Sequence, residues 1–142
     1  MRIASSLCLT TVLLWSGAAA AHGPSPHAAA GNAPPPTVAE VMTQRLPEYP
    51  GKEALMITVE YPPGGADPVH RHDAHAFVYV LEGAIVMGVA GGKEVTLKAG
   101  QSFHEGPADL HTIGRNASQT EPAKFLVLLL KDIDKPALIP VP

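Results

Sequence analysis

Three histidines fall within six residues, His70, His72 and His75, directly after the turn-forming run Gly64-Gly65-Ala66-Asp67-Pro68. A strand-like stretch, Phe77 to Leu81, follows at once. On an extended chain, residues i and i+2 point to the same face, so His70 and His72 can aim two imidazoles into one cavity. A further histidine, His111, arrives 39 residues after His72, beyond several short strand-like runs. From a distant strand it would complete a metal site of the kind neutral imidazole suits, which takes Zn, Cu, Fe or Ni.

The elements that must position these histidines read as short strands. Leu55 to Tyr61 is rich in β-formers and stops at Pro62-Pro63-Gly64-Gly65, which cannot continue a strand. Ala76 to Leu81 is the next, ending at the Glu82-Gly83 turn, and Ala84 to Ala90 leads to Gly91-Gly92, a two-residue hairpin signal. Lys93 to Lys98, Gln101 to Glu105 and His111 to Ile113 follow, and Lys124 to Lys131 is the last and most apolar strand. No segment after Gln44 carries a long helical period. Strands at this spacing predict an all-β domain, an antiparallel sandwich or barrel, over 45–142.

The N-terminal part reads differently. Met1-Arg2, the apolar run Leu7 to Trp15 and the small residues Ala18 to Ala21 form a secretory signal peptide pattern over 1–21, with cleavage expected after Ala21. Residues 22–44 read as a flexible Pro/Ala-rich tail: five prolines lie between His22 and Pro36, and Thr37 to Gln44 fits a short helix or an extended arm. The single cysteine, Cys8, lies in the signal, so the mature chain would hold no disulfide and no thiolate metal site. Without Arg2 the chain has 9 basic and 13 acidic residues, a net charge of −4 with no basic stripe, which excludes nucleic acid as an expected partner. No later apolar run is long enough to cross a bilayer. The expectation is a periplasmic exported protein, free of the membrane once the signal is cleaved.

The motifs resemble the cupin superfamily, small β-barrels of jelly-roll type. Gly64, five residues, His70-Arg71-His72, three residues, Ala76, six residues and Gly83 follow the first cupin motif, with Ala76 standing where the family has glutamate. Gly100, Pro107, His111 and Asn116 follow the second, with Asp109 in place of its usual glycine. The resemblance runs from about Ala54 to Leu130. It implies a jelly-roll barrel in which His70, His72 and His111 converge on one divalent transition metal, with Fe, Zn, Cu, Ni and Mn not distinguished. Three histidines suffice for a site with an open position, and some cupin oxygenases that oxidise thiols are similar in using three histidines on iron. With Ala76 unable to ligate, the centre would be one negative charge short and favour an anionic ligand.

Two other residues are candidates for the missing ligand. His75 lies one residue before Ala76, so a regular strand turns it away from the barrel, whereas a bulge would bring it in. Glu105 could supply a carboxylate from a neighbouring strand, or be a surface residue beside the Gly106-Pro107 turn. His104 would then face opposite to Glu105 and is read as exposed. Phe77 and Tyr79 read as core or dimer interface.

Three function classes remain, because this fold hosts enzymes, binding modules and storage proteins alike. The first expectation is an exported metal-binding cupin acting on a small molecule, an oxygenase being the enzymatic form. The alternative is a non-catalytic module that captures a small ligand or metal, and the third is a purely structural cupin. A homodimer is expected, since a barrel of about 90 residues leaves strand edges and a limited core, and Lys124 to Lys131 is more apolar than one buried face requires.

Overall fold

A computed structural model describes residues 33–141. The expected signal peptide and the tail histidines His22 and His27 lie outside the described residues. Ten strands follow one another: β1 (Thr37–Arg45), β2 (Lys52–Tyr61), β3 (His70–Arg71), β4 (Ala74–Glu82), β5 (Ala84–Val89), β6 (Val95–Lys98), β7 (Ser102–Glu105), β8 (Leu110–Asn116), β9 (Ala123–Asp132) and β10 (Ile139–Pro140). They form two five-stranded sheets, β1-β2-β9-β4-β7 and β10-β3-β8-β5-β6, with every pair antiparallel. This is the jelly-roll sandwich that the strand pattern predicts.

Alternation of residue type builds the core between the sheets. On β4, Ala74, Ala76, Val78 and Val80 are buried while His75, Phe77 and Tyr79 face out. On β9, Ala123, Phe125, Val127 and Leu129 point in, and β5 adds Ile85 and Met87. The β4–β5 turn depends on Gly83, whose φ is +70°; a Cβ there would sit 2.7 Å from the Pro122 carbonyl oxygen.

Two short strands and one long one are not legible as strands in the sequence. Residues 37–44, read as the end of a loose tail, belong to β1 and pair with β2, with a bulge between Glu40 and Met42. The extended-arm alternative describes them; the polar and apolar residues of β1 are all exposed, so its main-chain ladder rather than a buried face holds it. The Thr37–Gln44 helix does not form. β3 and β10 are two residues each, too short for a periodic signal, and exist because Pro140 pairs with His70 and His70 with His111.

Asn116, at the end of β8, ties the loop after β2 to the β8–β9 loop. Its side-chain amide donates to the carbonyls of Tyr61, Pro62 and Glu121 at 3.3, 3.0 and 2.8 Å, and its Oδ1 accepts from the Ser118 amide at 2.8 Å. It is 1% exposed, so removing the amide strands buried carbonyls. Asn116→Ala is expected to cost about 2–3 kcal/mol and to lower the thermal midpoint by about 10 °C, measured by differential scanning calorimetry; an unchanged midpoint would mean the loops are held otherwise.

Candidate metal centre

His70 and His111 lie directly opposite each other on β3 and β8, and His72 follows immediately after β3. All three are buried and face the space between the sheets. Glu105, at the end of β7 in the other sheet, completes the group and is 2% exposed. One ligand atom from each of His70, His72, Glu105 and His111 lies within 4.8 Å of every other. Glu105 is therefore inside the barrel, and its surface alternative is set aside.

The register explains how a glutamate outside the first motif reaches this position. Ala76 of β4 is the direct cross-strand partner of Glu105 of β7. Direct partners in an antiparallel pair have Cβ atoms about 4.5–5.5 Å apart. The small, fully buried Ala76 leaves room, and the carboxylate enters from the neighbouring strand. The expected shortfall of one negative charge, with its preference for an anionic ligand, is corrected by this carboxylate. His75 remains outside: β4 is regular there, so His75 is exposed on the opposite face from Ala76. The same alternation exposes His104 beside Glu105.

Each imidazole is oriented by a backbone carbonyl. His70 donates from Nδ1 to the Pro68 oxygen at 2.8 Å, and His111 donates from Nε2 to the Ile113 oxygen at 2.6 Å. His72 donates from Nδ1 to the Ala137 oxygen. A carbonyl only accepts, so these bonds fix the tautomers and leave His70 Nε2, His72 Nε2 and His111 Nδ1 as bare lone pairs. Those three atoms nevertheless face one another, His70 Nε2 lying 3.2 Å from each of the other two. Glu105 Oε2 is 3.3 Å from His111 Nδ1 and 3.7 Å from His72 Nε2, and has no hydrogen-bond donor among the described residues.

Four buried acceptors without a donor call for a cation. Burial holds the three imidazoles below their ordinary pKa, His111 down to about 4, so they resist taking a proton. Burial, reinforced by the Asp67 charge, lifts Glu105 to about 7. The Glu105–His111 contact is thus no ion pair, and a proton on Glu105 satisfies only part of the group. A metal with bonds of about 2.0–2.1 Å and adjacent ligands places ligand atoms about 2.9–3.4 Å apart, and three of the four contacts given above lie in that range, the His72–Glu105 distance being longer at 3.7 Å. The group of His70, His72, Glu105 and His111 could hold one metal ion.

Beside the four ligand atoms lies a cavity of about 120 Å³. Its walls are Ile57, Val59, Val78, Met87, Phe125, Val127 and Leu129, with Val38, Ala137 and Leu138 also lining it. The other charged group is Asp67, whose Oδ2 accepts from the buried Tyr61 hydroxyl. Burial raises both their pKa values, with the Asp67 charge also raising that of Tyr61. Sequence reasoning missed this pair, which has no motif spacing; a buried Tyr six residues before an Asp carries no signal. Gly114 makes it possible: a Cβ there would lie 3.0 Å from Asp67 Oδ2, Tyr61 Oη and His111 Cε1. Arg71 and Arg115, the nearest basic residues to the motifs, are exposed, and Arg115 contacts Glu94 at 3.5 Å.

Replacing any of His70, His72 or His111 by Ala should weaken metal binding at the buried centre by more than the ~10–100-fold that loss of a supporting hydrogen bond costs, while His75→Ala should change binding at that centre little. Affinity should fall as pH drops below about 7, because Glu105 takes up a proton first and the imidazoles, with lowered pKa values, later. In the metal-free protein the two effects oppose: the raised Glu105 contributes stability below about 4.5 that is lost as pH rises through 7, and the depressed His111 contributes stability above 6.5 that is lost as pH falls through 4. Isothermal titration of wild type and Glu105→Gln from pH 5 to 8 checks this. The variant should bind more weakly and lose the pH dependence near 7; an unchanged profile would remove Glu105 from the ligand set.

Comparison with known proteins agrees with the geometry. The family model for the cupin domain matches residues 57–129, just over half of the chain. No curated protein matches. Among solved structures, the DMSP lyase DddQ from Ruegeria pomeroyi is 22% identical with a TM-score of 0.55, covering 62% of this chain and 43% of its own. An oxalate oxidase in complex with the substrate analogue glycolate is 23% identical with a TM-score of 0.55, covering 75% of this chain and 61% of its own. A conserved protein with a double-stranded β-helix domain from Klebsiella pneumoniae is 20% identical with a TM-score of 0.59, covering 75% and 85%. The chain thus spans less than two thirds of the length of the two enzymes, and these likenesses speak to fold alone. With the matched domain, the motif residues and the two-sheet topology in agreement, the chain belongs to the cupin superfamily.

Proposed function

We propose that this protein is an exported, metal-dependent cupin that oxidises a small uncharged molecule with dioxygen at the His70–His72–Glu105–His111 centre. The observation that carries the metal is the group of four buried acceptors without a donor. A bound transition metal would supply Lewis acidity and open coordination positions for a small molecule or dioxygen. The cavity walls support the rest: they are apolar, so they admit dioxygen and a small apolar body. Three histidines and one glutamate leave a divalent centre with a single positive charge, and no Lys or Arg is among the residues lining the cavity. That environment suits an uncharged substrate better than a dicarboxylate. Tyr61 holds Asp67 at the cavity edge, where its carboxylate can accept a hydrogen bond from a substrate hydroxyl or thiol.

The test uses protein recovered from its exported compartment without a histidine tag. Intact mass should place its first residue near His22, and elemental analysis should find one transition metal per chain. Oxygen-electrode assays with small phenols and thiols should then detect uptake that His70→Ala abolishes. Metal without turnover would favour the non-catalytic binding module, and absence of metal would overturn the reading.

We also propose that two copies associate. β1 is an ordered edge strand exposed along its whole length, with Val41 more than half exposed, whereas Val38 is opposite the buried Val59 and faces the cavity. Phe77, Tyr79 and Leu130 add exposed apolar surface to the outer face of the same sheet, which sets aside the core reading of the two aromatics. Such surface on one sheet favours burial against a like surface. Light scattering at tens of micromolar should report a dimer, and Val41→Glu with Tyr79→Glu should shift it to monomer; a monomeric wild type would defeat the idea.

A further inference from the structure

On the outer face of β4 and β7, away from the buried centre, a second pair of imidazoles meets. His104 is diagonal to His75: the direct partner of His104 across the ladder is Phe77, two residues along β4. Diagonal neighbours are within reach of long or aromatic side chains. His75 Nδ1 and His104 Nε2 lie 3.1 Å apart, with the rings stacked at 5.3 Å between centroids and 16° between planes. Both are exposed. Phe77 packs on His104 at 4.9 Å and on His75 at 6.4 Å, walling the pair on one side.

We propose that His75 and His104 form a second, solvent-open binding site for a divalent transition metal. The 3.1 Å contact is an N–H···N hydrogen bond between the two rings; once that proton moves to the donor ring's other nitrogen, both nitrogens are free at the spacing of about 2.9–3.4 Å that two adjacent metal–nitrogen bonds of about 2.0–2.1 Å require. Regular strands and the Phe77 ring restrict the two side chains, so little conformational freedom is lost on chelation. Water completes the coordination, which makes the site weaker and more exchangeable than the buried one. Two imidazoles with water suit Cu(II), Ni(II) and Zn(II), and the Irving–Williams order places Cu(II) tightest. The site stands independently of the buried centre, because His104 and Glu105 are consecutive residues on opposite faces of β7.

The probe is Cu(II) added to the untagged mature chain carrying His70→Ala and His72→Ala, which disables the buried centre. Equilibrium dialysis gives the number bound per chain, and nuclear magnetic resonance gives paramagnetic broadening of the histidine rings. His22→Ala and His27→Ala are included so that tail imidazoles do not contribute. In this background the resonances of His75 and His104 should broaden together at substoichiometric Cu(II). Adding either His75→Ala or His104→Ala should weaken that site at least about tenfold, because one ligand is left where two acted together. Retention of the site in either variant, or broadening of one ring without the other, would overturn the pairing. Secondary structure by circular dichroism should be unchanged in both, since the substitutions are on the surface.

Discussion

Three backbone carbonyls decide the chemistry of this protein. Pro68, Ala137 and Ile113 each take the one proton of a neighbouring imidazole, so His70, His72 and His111 must present their lone pairs to a common point. Glu105 presents a fourth. In a low-dielectric interior such a group is costly without a cation. Much of the fold serves to hold it: β3 and β8 set His70 against His111, and the segment before β10 brings Ala137 to His72.

The carboxylate of the centre comes from β7 rather than from β4. The first-motif place is taken by Ala76, and its cross-strand partner Glu105 reaches the same interior region. Ala76 cannot be large, because the carboxylate lies opposite it on the same face. A comparable constraint acts at Gly114, where absence of a side chain lets Tyr61, Asp67 and His111 approach one another. Small residues here make space for polar ones, in a cavity otherwise walled by aliphatic and aromatic groups.

Period-two alternation gives β4 and β7 two chemistries. Their inner faces carry Ala76 and Glu105 beside the buried centre, and their outer faces carry His75, Phe77 and His104 in water. A one-residue slip of register would exchange them, bringing His104 in and Glu105 out. Val78 and Val80 packed against Val127 and Phe125 fix β4, and Phe103, opposite Val78 and packed on the same core, fixes β7.

The sequence by itself determined the strand pattern of β2 and of β4 to β9, the turn at Gly83 and the three histidines, because alternation, turn residues and an i, i+2 spacing are local signals. It also contained the jelly-roll motifs that place His111 near His70. It could not decide between His75 and Glu105 as the carboxylate's replacement, because that choice rests on which β7 residue faces Ala76 across a ladder between residues 29 positions apart in the chain. Nor could it show β1, β3 and β10, whose existence depends on a neighbouring strand rather than on their own composition, or the Tyr61–Asp67 pair, which forms only when Gly114 lets β8 close on them. Local patterning sets which residues can face inward; only the packed sheets set which inward atoms meet, because those distances are fixed by register between strands far apart in the chain.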